Sequence, residues 1–306
     1  MRIAIVGGAG FVGCAVARAM LATGLHPVIM DTPGRLSVIT GLEPAVPRAP
    51  FDFSTDRIMP AQLEGFDALV HLGCTTNPAR SMASMVFDAE SNIGPSLRLF
   101  EAAAEANVSR VVFSSSGGTV YGVPATLPVT ETAPTHPRSA YGVSKLAIEK
   151  YLSLFTRLNG VSLRLANPYG AFQLRGAAVG VIARYVLAVR HRQPLEVWGD
   201  GSNVRDYIAI EDVAAAFVAA VSTPTLETGA YNVGSGSGVD LTTIIKTIFA
   251  VTGCEVPVVH VPARPYDVPA IVLDSSLFAQ RVGWRPRISL AAGVGQLWSE
   301  VLAHAR

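Results

Sequence analysis

Arg2-Ile-Ala-Ile-Val-Gly-Gly-Ala-Gly-Phe-Val-Gly13 is the stretch of sequence that decides the fold of this chain. Its apolar first half predicts a buried strand, and residues 14 to 22 predict the helix that follows. Between the two, Gly7, Gly10 and Gly13 have the spacing G-x-x-G-x-x-G. This spacing permits a tight turn, lets the backbone approach a diphosphate, and lets the helix pack closely on the strand. Because the helix N-terminus offers free N–H groups to phosphates, the stretch predicts a dinucleotide site.

A carboxylate follows near the distance at which such sites bind a ribose. The second apolar strand, predicted over residues 26 to 30, ends at Asp31. An acid at this position accepts a hydrogen bond from the adenosine 2′-hydroxyl and repels a 2′-phosphate, so we expect NAD rather than NADP. A glycine-rich turn in an ordinary α/β domain is the alternative. The joint occurrence of strand, glycines, helix, strand and acid argues against it.

The composition excludes several classes of function. The 306 residues carry 24 lysines and arginines against 23 aspartates and glutamates, so no basic excess suggests nucleic acid or a membrane surface as a partner. The apolar stretches 177–189 and 213–221 are too short to span a bilayer. Cys14, Cys74 and Cys254 fit no metal-ligand spacing, and such sparse cysteines are typical of a reducing compartment. We therefore expect a cytoplasmic protein without a metal site.

Polar residues follow two further predicted strands. The strand of residues 66 to 72 ends before Gly73, and the strand that begins at Arg110 ends in the serines at 114 to 116. The carboxyl edge of an open α/β sheet is where ligands bind. His71 falls inside the first of these apolar runs, and we expect a core histidine there.

Tyr141 and Lys145 stand four residues apart at the start of a helix predicted over residues 141 to 158. On a helix their side chains share one face. A cation so close can lower the pKa of a phenol toward neutrality. A tyrosine with such a pKa can pass a proton to or from a sugar hydroxyl. A surface Tyr–Lys pair is the alternative, and it would be preferred if this pair were the only clue.

The remaining pattern completes the expected fold. Apolar spacing predicts helices over 87–106, 178–190, 211–220 and 241–252, and strands over 161–165, 194–198 and 231–234. With the first stretch, these elements predict an α/β fold built on a Rossmann-type, doubly wound parallel sheet.

Over essentially its whole length the chain resembles the extended short-chain dehydrogenase/reductase family. Within that family it is most similar to nucleotide-sugar epimerases of the UDP-glucose 4-epimerase type. The matching motifs, in the family's order, are Gly7–Gly13, Asp31, Asp52, Leu69–Leu72, Asn92, Ser114–Ser116, Thr119–Gly122, Tyr141 with Lys145, Asn167–Gly170, Arg205–Tyr207, and Arg264 with Asp267.

The resemblance implies two domains and a cofactor. It implies an NAD-binding Rossmann domain at 1–168, with returning segments at about 205–234, and a smaller mixed α/β substrate-binding domain at 169–204 and 235–306. The NAD contacts that it implies are Gly7, Gly10, Phe11, Val12, Gly13, Asp31, Asp52, Phe53, Leu72, Gly73, Asn92, Ser114, Tyr141, Lys145 and Pro168.

The resemblance also implies the catalytic residues. Tyr141 would be the general acid/base, Lys145 would bind the nicotinamide ribose and lower the phenol pKa, and Ser116 would be the hydroxyl partner. The implied reaction is epimerisation at C4 of a nucleotide-activated hexose through a 4-keto intermediate.

The serine position departs from the commonest pattern of the family. An extra residue, in the pair Gly117-Gly118, separates Ser116 from Val120. Counting back from Val120 puts a glycine at the serine position, whereas counting forward from the strand gives Ser116. We favour Ser116 because insertions fall in loops, with Thr119 as the second choice.

The substrate contacts that the resemblance implies are Ser116, Gly117, Thr119, Tyr141, Asn167, Val197, Arg205, Arg264, Asp267 and Ile271. Ile271 falls at the family position that limits bulk at the sugar 2-substituent. Isoleucine is intermediate in size there, so UDP-glucose, UDP-galactose and their N-acetyl forms stay open, as do GDP and dTDP sugars. A homodimer paired through helices at about 88–106 and 141–157 is also implied.

Three alternatives share this scaffold. Dehydratases and decarboxylases usually carry an acid just after the active-site serine or threonine, where this chain has Gly117-Gly118. A 4-keto-sugar reductase usually prefers NADPH, which Asp31 disfavours. A non-catalytic NAD-binding relative is disfavoured because Tyr141 and Lys145 are both present.

Overall fold

The elements of the fold alternate between strands and helices along the chain. A computed structural model of the protein describes residues 1–39, 46–56, 58–175, 180–262 and 268–303. The strands are β1 (Arg2–Val6), β2 (His26–Asp31), β3 (Arg48–Pro50), β4 (Ala68–His71), β5 (Arg110–Ser116), β6 (Asn159–Leu165), β7 (Asn167–Tyr169), β8 (Leu195–Trp198), β9 (Val204–Ala209), β10 (Gly229–Val233), β11 (Gly238–Val239), β12 (Val258–Val261) and β13 (Ala270–Ile271). The helices are α1 (Phe11–Ala22), α2 (Pro33–Ser37), α3 (Pro78–Ala83), α4 (Met85–Glu105), α5 (Gly117–Val120), α6 (Ala140–Leu152), α7 (Val181–Arg190), α8 (Ile210–Ser222), α9 (Leu241–Thr252), α10 (Ser276–Val282) and α11 (Leu290–Ala303).

One large sheet contains the first six strands of the chain and β10. Seven of the described strands pair in parallel in the order β10-β6-β5-β4-β1-β2-β3. From β1 the chain runs outward to β2 and β3, and β4 then lies on the opposite side of β1. A crevice opens at the carboxyl ends of the strands where the order reverses in this way. The structure therefore confirms the predicted Rossmann-type, doubly wound sheet.

Helices cover both faces of this sheet. Along β1, Ile3 and Ile5 pack into one hydrophobic cluster with residues of α1 and α8. Ala4 and Val6 point the other way and pack into a second cluster with residues of α4. Because its side chains alternate between two buried faces, the sequence of β1 is a continuous apolar run.

The smaller sheets lie later in the chain. β9 pairs with β7, β11 and β13, while β8 pairs with β12 in parallel. A third hydrophobic cluster joins residues of α7, α9 and α11 to β8. The predicted division into two domains stays a prediction. β10 belongs to the large sheet and α8 packs on α1, whereas β9 belongs to a smaller sheet.

Most predicted element bounds agree with the structure to within two residues. The first helix begins at Phe11 rather than residue 14, and the start of the helix predicted over 178–190 lies outside the described residues. The helix that begins at Tyr141 was expected to reach about residue 158, but α6 ends at Leu152. An added Cβ at Gly160 would lie 2.6 Å from Leu152 Cγ, so β6 packs directly against the last turn of α6. The chain needs residues 153–158 to reverse direction between the two. No helix among the described residues has both the length and the apolar character that crossing a membrane requires.

Candidate active site

A cavity of about 390 Å³ lies at the carboxyl ends of β1, β2 and β4. It is lined by ten of the residues predicted to contact the cofactor: Gly7, Gly10, Phe11, Val12, Gly13, Asp31, Asp52, Phe53, Leu72 and Gly73. Cys74 and Thr75 also line it, in the small-residue turn that was expected beside the pyrophosphate, and so do Thr32 and Arg35, which were not predicted to do so.

Backbone packing requires glycine at two positions of the turn after β1. Gly7 has a φ of +78°, and a Cβ there would lie 2.7 Å from the Gly73 nitrogen. A Cβ at Gly13 would lie 2.5 Å from the backbone of Gly8. At Gly10, the N-cap of α1, no side chain caps the first helical turn. The first-turn N–H groups are therefore offered to the cavity, which suits a diphosphate.

The acid at the end of β2 is held by backbone amides. Asp31 is 6% exposed, and its carboxylate accepts hydrogen bonds from the nitrogens of Ala9 at 3.0 Å and Thr32 at 2.8 Å. Burial raises the pKa of Asp31. The carboxylate still lines the cavity, where it could receive a ribose hydroxyl. The hydroxyl of Ser54 lowers the pKa of Asp52 on the same cavity. Together these groups fit an adenine dinucleotide.

The predicted catalytic residues converge from β5 and α6. Ser139 caps α6, because its Oγ accepts a hydrogen bond of 3.2 Å from the Gly142 nitrogen. This cap fixes the first turn of the helix, which carries Tyr141. Ser116, at the end of β5, lies beside Tyr141, and its side chain lowers the pKa of the phenol. Lys145 Nζ donates to the Ser114 backbone oxygen at 2.8 Å and lies 5.6 Å from the centroid of the Tyr141 ring.

The expected fall in the pKa of Tyr141 is not found in the protein alone. Burial is the largest influence, and it raises the pKa of this phenol because it disfavours the charged form. Electrostatic interactions with Cys74 and Asp88 act in the same direction, and the Ser116 side chain acts against them. The sequence showed the spacing of Tyr141 and Lys145 but not the burial that outweighs it.

A second cavity, of about 570 Å³, begins at Tyr141 and continues toward β7 and β9. Ser116, Thr119, Tyr141, Asn167 and Arg205 line it, as predicted for substrate contacts, and so does Pro168, which was predicted to contact NAD. The Thr119 hydroxyl is buried without a hydrogen-bond partner among the described residues. Within the described lining there is no aspartate or glutamate.

Three predicted substrate contacts lie away from this cavity. A Cβ at Gly117 would lie 2.4 Å from Leu273 Cδ1, and it is Gly118 that lines the cavity. Val197 and Ile271 are each 2% exposed and belong to hydrophobic clusters. Both occupy buried positions of strands, whereas the resemblance gave only their place along the chain. Arg264 and Asp267 lie outside the described residues, so their predicted roles stay predictions.

A small interior cavity, too narrow for a water molecule, adjoins both larger ones. It shares Gly73 and Cys74 with the first cavity and Tyr141 with the second, and Asn92 and Lys145 also line it. Tyr141 therefore stands between the dinucleotide cavity and the second cavity. Ser114, which was predicted to contact NAD, accepts the hydrogen bond of Lys145 with its backbone oxygen.

Gln173 is a cavity residue that the sequence interpretation missed. It is 8% exposed and lines the second cavity. Its Nε2 donates to the Pro168 oxygen at 3.3 Å, while its Oε1 has no partner among the described residues. A Cβ at Gly180 would lie 2.5 Å from Gln173 Nε2, so the amide is held between Pro168 and Gly180. A lone glutamine after an Asn-Pro-Tyr-Gly turn gave no signal by itself.

Comparisons with known proteins agree with this geometry. Residues 3–234 match the NAD dependent epimerase/dehydratase family. The UDP-glucose 4-epimerase of Mycolicibacterium smegmatis is 33% identical over 97% of both chains. The dTDP-4-dehydro-6-deoxyglucose reductase of Escherichia coli is 30% identical over 96% of both chains. The crystal structure of Thermotoga maritima UDP-glucose 4-epimerase with UDP-glucose superposes with a TM-score of 0.92 at 28% identity and covers 100% of both chains.

Proposed function

This chain belongs to the NAD dependent epimerase/dehydratase family, and we propose that it inverts C4 of a nucleotide-activated hexose through a 4-keto intermediate. The observation that carries the proposal is the place of Tyr141. Beside Ser116, it lies between a cavity that fits a dinucleotide and a second cavity lined by Asn167 and Arg205.

Different residues of the chain would have different roles in this reaction. The glycine turn and Asp31 would hold NAD, which supplies the hydride acceptor and donor that inversion of C4 requires. Tyr141 would accept the proton of the C4 hydroxyl when the keto sugar forms, and would return it when the hydroxyl forms again. Ser116 would hydrogen-bond the same oxygen.

The far end of the second cavity would hold the nucleotide diphosphate. Arg205 and Asn167 line the second cavity, and an arginine fork suits phosphate oxygens better than a point charge does. Firm contacts to the diphosphate would leave the hexose free to turn between its two faces. UDP-glucose and UDP-galactose are the substrates that we propose first, and the N-acetyl, GDP and dTDP forms stay open.

The lining of the second cavity favours inversion over elimination. A dehydratase needs an acid or base near the sugar in addition to the tyrosine, and the described lining holds no aspartate or glutamate. Asp31 on the first cavity disfavours the NADPH that a keto-sugar reductase usually takes. These two observations rank the dehydratase and the reductase behind the epimerase.

The experiment is to incubate the purified protein with UDP-galactose, without added NAD, and to follow the sugar by proton NMR. We expect UDP-glucose to appear, and we expect Tyr141→Phe to lose nearly all of the rate. Tyr151→Phe is the matched control, because Tyr151 lies on the same helix and is 45% exposed. A 4-keto-6-deoxy sugar or a pentose would instead show a dehydratase or a decarboxylase. No product at all would move the test to N-acetyl, GDP and dTDP sugars.

We also propose that the protein is a cytoplasmic homodimer paired through α4 and α6. Large apolar side chains are exposed on or beside these helices: Phe87 is 47% exposed, Val143 51% and Leu154 72%. Pairing with the same surface of a second copy would bury them. Size-exclusion chromatography with light scattering at micromolar concentration tests this, and a monomer would contradict it.

A further inference from the structure

Asp88 is a buried carboxylate that the proposed reaction does not use. It lies in the first turn of α4 and is 0% exposed. The Thr76 hydroxyl donates to its Oδ1, and the Ser144 hydroxyl donates to its Oδ2 at 2.6 Å. Among the ion pairs found in the described residues, none includes Asp88. A buried charge without a cation is costly, so we looked for a role that explains why Asp88 lies beside the active site.

The contacts of Asp88 join three segments around the interior cavity. Thr76 belongs to the segment after β4, and its neighbour Thr75 lines the dinucleotide cavity. Thr75 is held in turn, because its nitrogen donates to Asn92 Oδ1 at 3.0 Å. Ser144 lies on α6 between Tyr141 and Lys145. Asp88 thus ties a wall of the dinucleotide cavity to the helix that carries the catalytic tyrosine.

Tyr141 faces titratable groups from three directions. Cys74 lies on the segment after β4, Asp88 on α4, and Lys145 one turn further along α6. These three side chains and that of Tyr141 line the interior cavity. From β5, Tyr141 meets the uncharged Ser116. The charge of Asp88 disfavours a negative tyrosinate, whereas the charge of Lys145 favours it.

We propose that Asp88 is a positioning residue for Tyr141: its carboxylate ties the segment after β4 to α6 and places a fixed negative charge beside the phenol. The charge opposes Lys145 and raises the proton affinity of the phenol, so that Tyr141 holds the proton it takes from the C4 hydroxyl until that proton returns to the keto oxygen. This inference rests on the proposed role of Tyr141 as acid and base.

The test compares two variants that remove different parts of this arrangement. Asp88→Asn keeps the shape and an accepting oxygen but removes the charge. Ser144→Ala removes one hydrogen bond and keeps the charge. For Asp88→Asn we expect the acidic limb of the pH profile of kcat to move to lower pH by on the order of one unit, with little change in the KM of the nucleotide sugar. For Ser144→Ala we expect the limb to stay in place.

A second measurement does not depend on turnover. In NAD-bound protein carrying ¹³Cζ-labelled tyrosine, the Tyr141 signal is identified by its loss in Tyr141→Phe, and its pH midpoint is read directly by NMR. A lower midpoint in Asp88→Asn alone supports the proposal. No shift, or an equal shift in Ser144→Ala, overturns it. If Asp88→Asn does not fold, the smaller neutral variant Asp88→Ser replaces it. A protein inactive on every nucleotide sugar would contradict the proposed function, yet the titration would still test Asp88.

Discussion

The ammonium group of Lys145 donates a hydrogen bond of 2.8 Å to the backbone oxygen of Ser114. This contact fixes α6 against β5 two residues before the strand ends at Ser116. The same ammonium group lies 5.6 Å from the centroid of the Tyr141 ring. One side chain therefore holds the helix against the strand and places an ammonium group near the ring of Tyr141.

Replacing Lys145 by methionine should lower kcat by at least about 100-fold, because the cation that favours tyrosinate is lost. The remaining activity should rise toward higher pH than in the wild type, since burial already raises the pKa of Tyr141. Steady-state kinetics from pH 6 to 10 would measure both effects. Lys150→Met, an exposed change on the same helix, is the control. Equal losses in the two variants would contradict the assigned role.

Ser116 and Thr119 should differ in which kinetic constant they control. Ser116 lies beside Tyr141 and lowers its pKa, whereas Thr119 lines the second cavity and its buried hydroxyl has no partner among the described residues. Ser116→Ala should lower kcat by about 100-fold. Thr119→Val should raise the KM of the nucleotide sugar by up to about tenfold and spare kcat. If Thr119→Val lowered kcat more than Ser116→Ala did, Thr119 rather than Ser116 would be the hydroxyl partner of Tyr141.

The parts of the site that sequence predicted are local. The glycine turn, Asp31 and the Tyr141–Lys145 pair each depend on a short spacing along one strand or helix, and the structure places them together at the cavities. Strand bounds could be predicted because buried parallel strands are continuous apolar runs. Ser116 could be chosen because the strand that leads to it could be recognised.

The parts that sequence did not predict depend on contacts between distant segments. Gln173 and Asp88 are single polar residues whose burial follows from how β7, α4 and α6 pack. The raised pKa of Tyr141 has the same origin, since spacing along a helix carries no information on solvent exclusion. Ile271 was placed by resemblance along the chain, and the burial of its strand shows that its side chain packs in the core.

His71 should make stability depend on pH. Its ring is fully buried among Phe53, Phe100 and Phe113, and its Nε2 lies 2.9 Å from Ser96 Oγ. Burial, with a smaller influence of the nearby Lys145 charge, lowers the pKa of His71 to about 3.

The unfolded chain has a histidine pKa of about 6.5, so it binds a proton in the range from about 6.5 down to about 3 that the folded protein does not bind. Stability should therefore fall as the pH falls through this range. Between pH 7.5 and 5.5 the wild type should lose about 1.4 kcal/mol more than His71→Gln, measured by urea unfolding. His26→Gln, at an exposed position, should behave as the wild type does. An equal pH dependence in wild type and His71→Gln would show that the folded protein protonates this ring.

Removing either partner of the buried pair of Arg164 and Glu149 should strongly destabilise the fold. Arg164 Nη2 lies 2.7 Å from Glu149 Oε2, with both side chains about 5% exposed or less. The Ser115 hydroxyl also donates to Glu149, so the carboxylate joins α6 to both β5 and β6. Arg164→Met leaves this carboxylate buried without a cation, and we expect a loss of about 3–5 kcal/mol in the free energy of unfolding.

The double variant Arg164→Met/Glu149→Leu should recover most of that loss, because it leaves neither charge behind. The exposed pair of Arg281 and Glu227, at 3.5 Å, provides the matched control. Arg281→Met should cost less than about 1 kcal/mol, since water screens both partners. Urea unfolding of the four proteins measures these differences. A double variant as unstable as Arg164→Met would mean that hydrogen bonds of Glu149, such as the one from Ser115, hold α6 on the sheet more than the ion pair does.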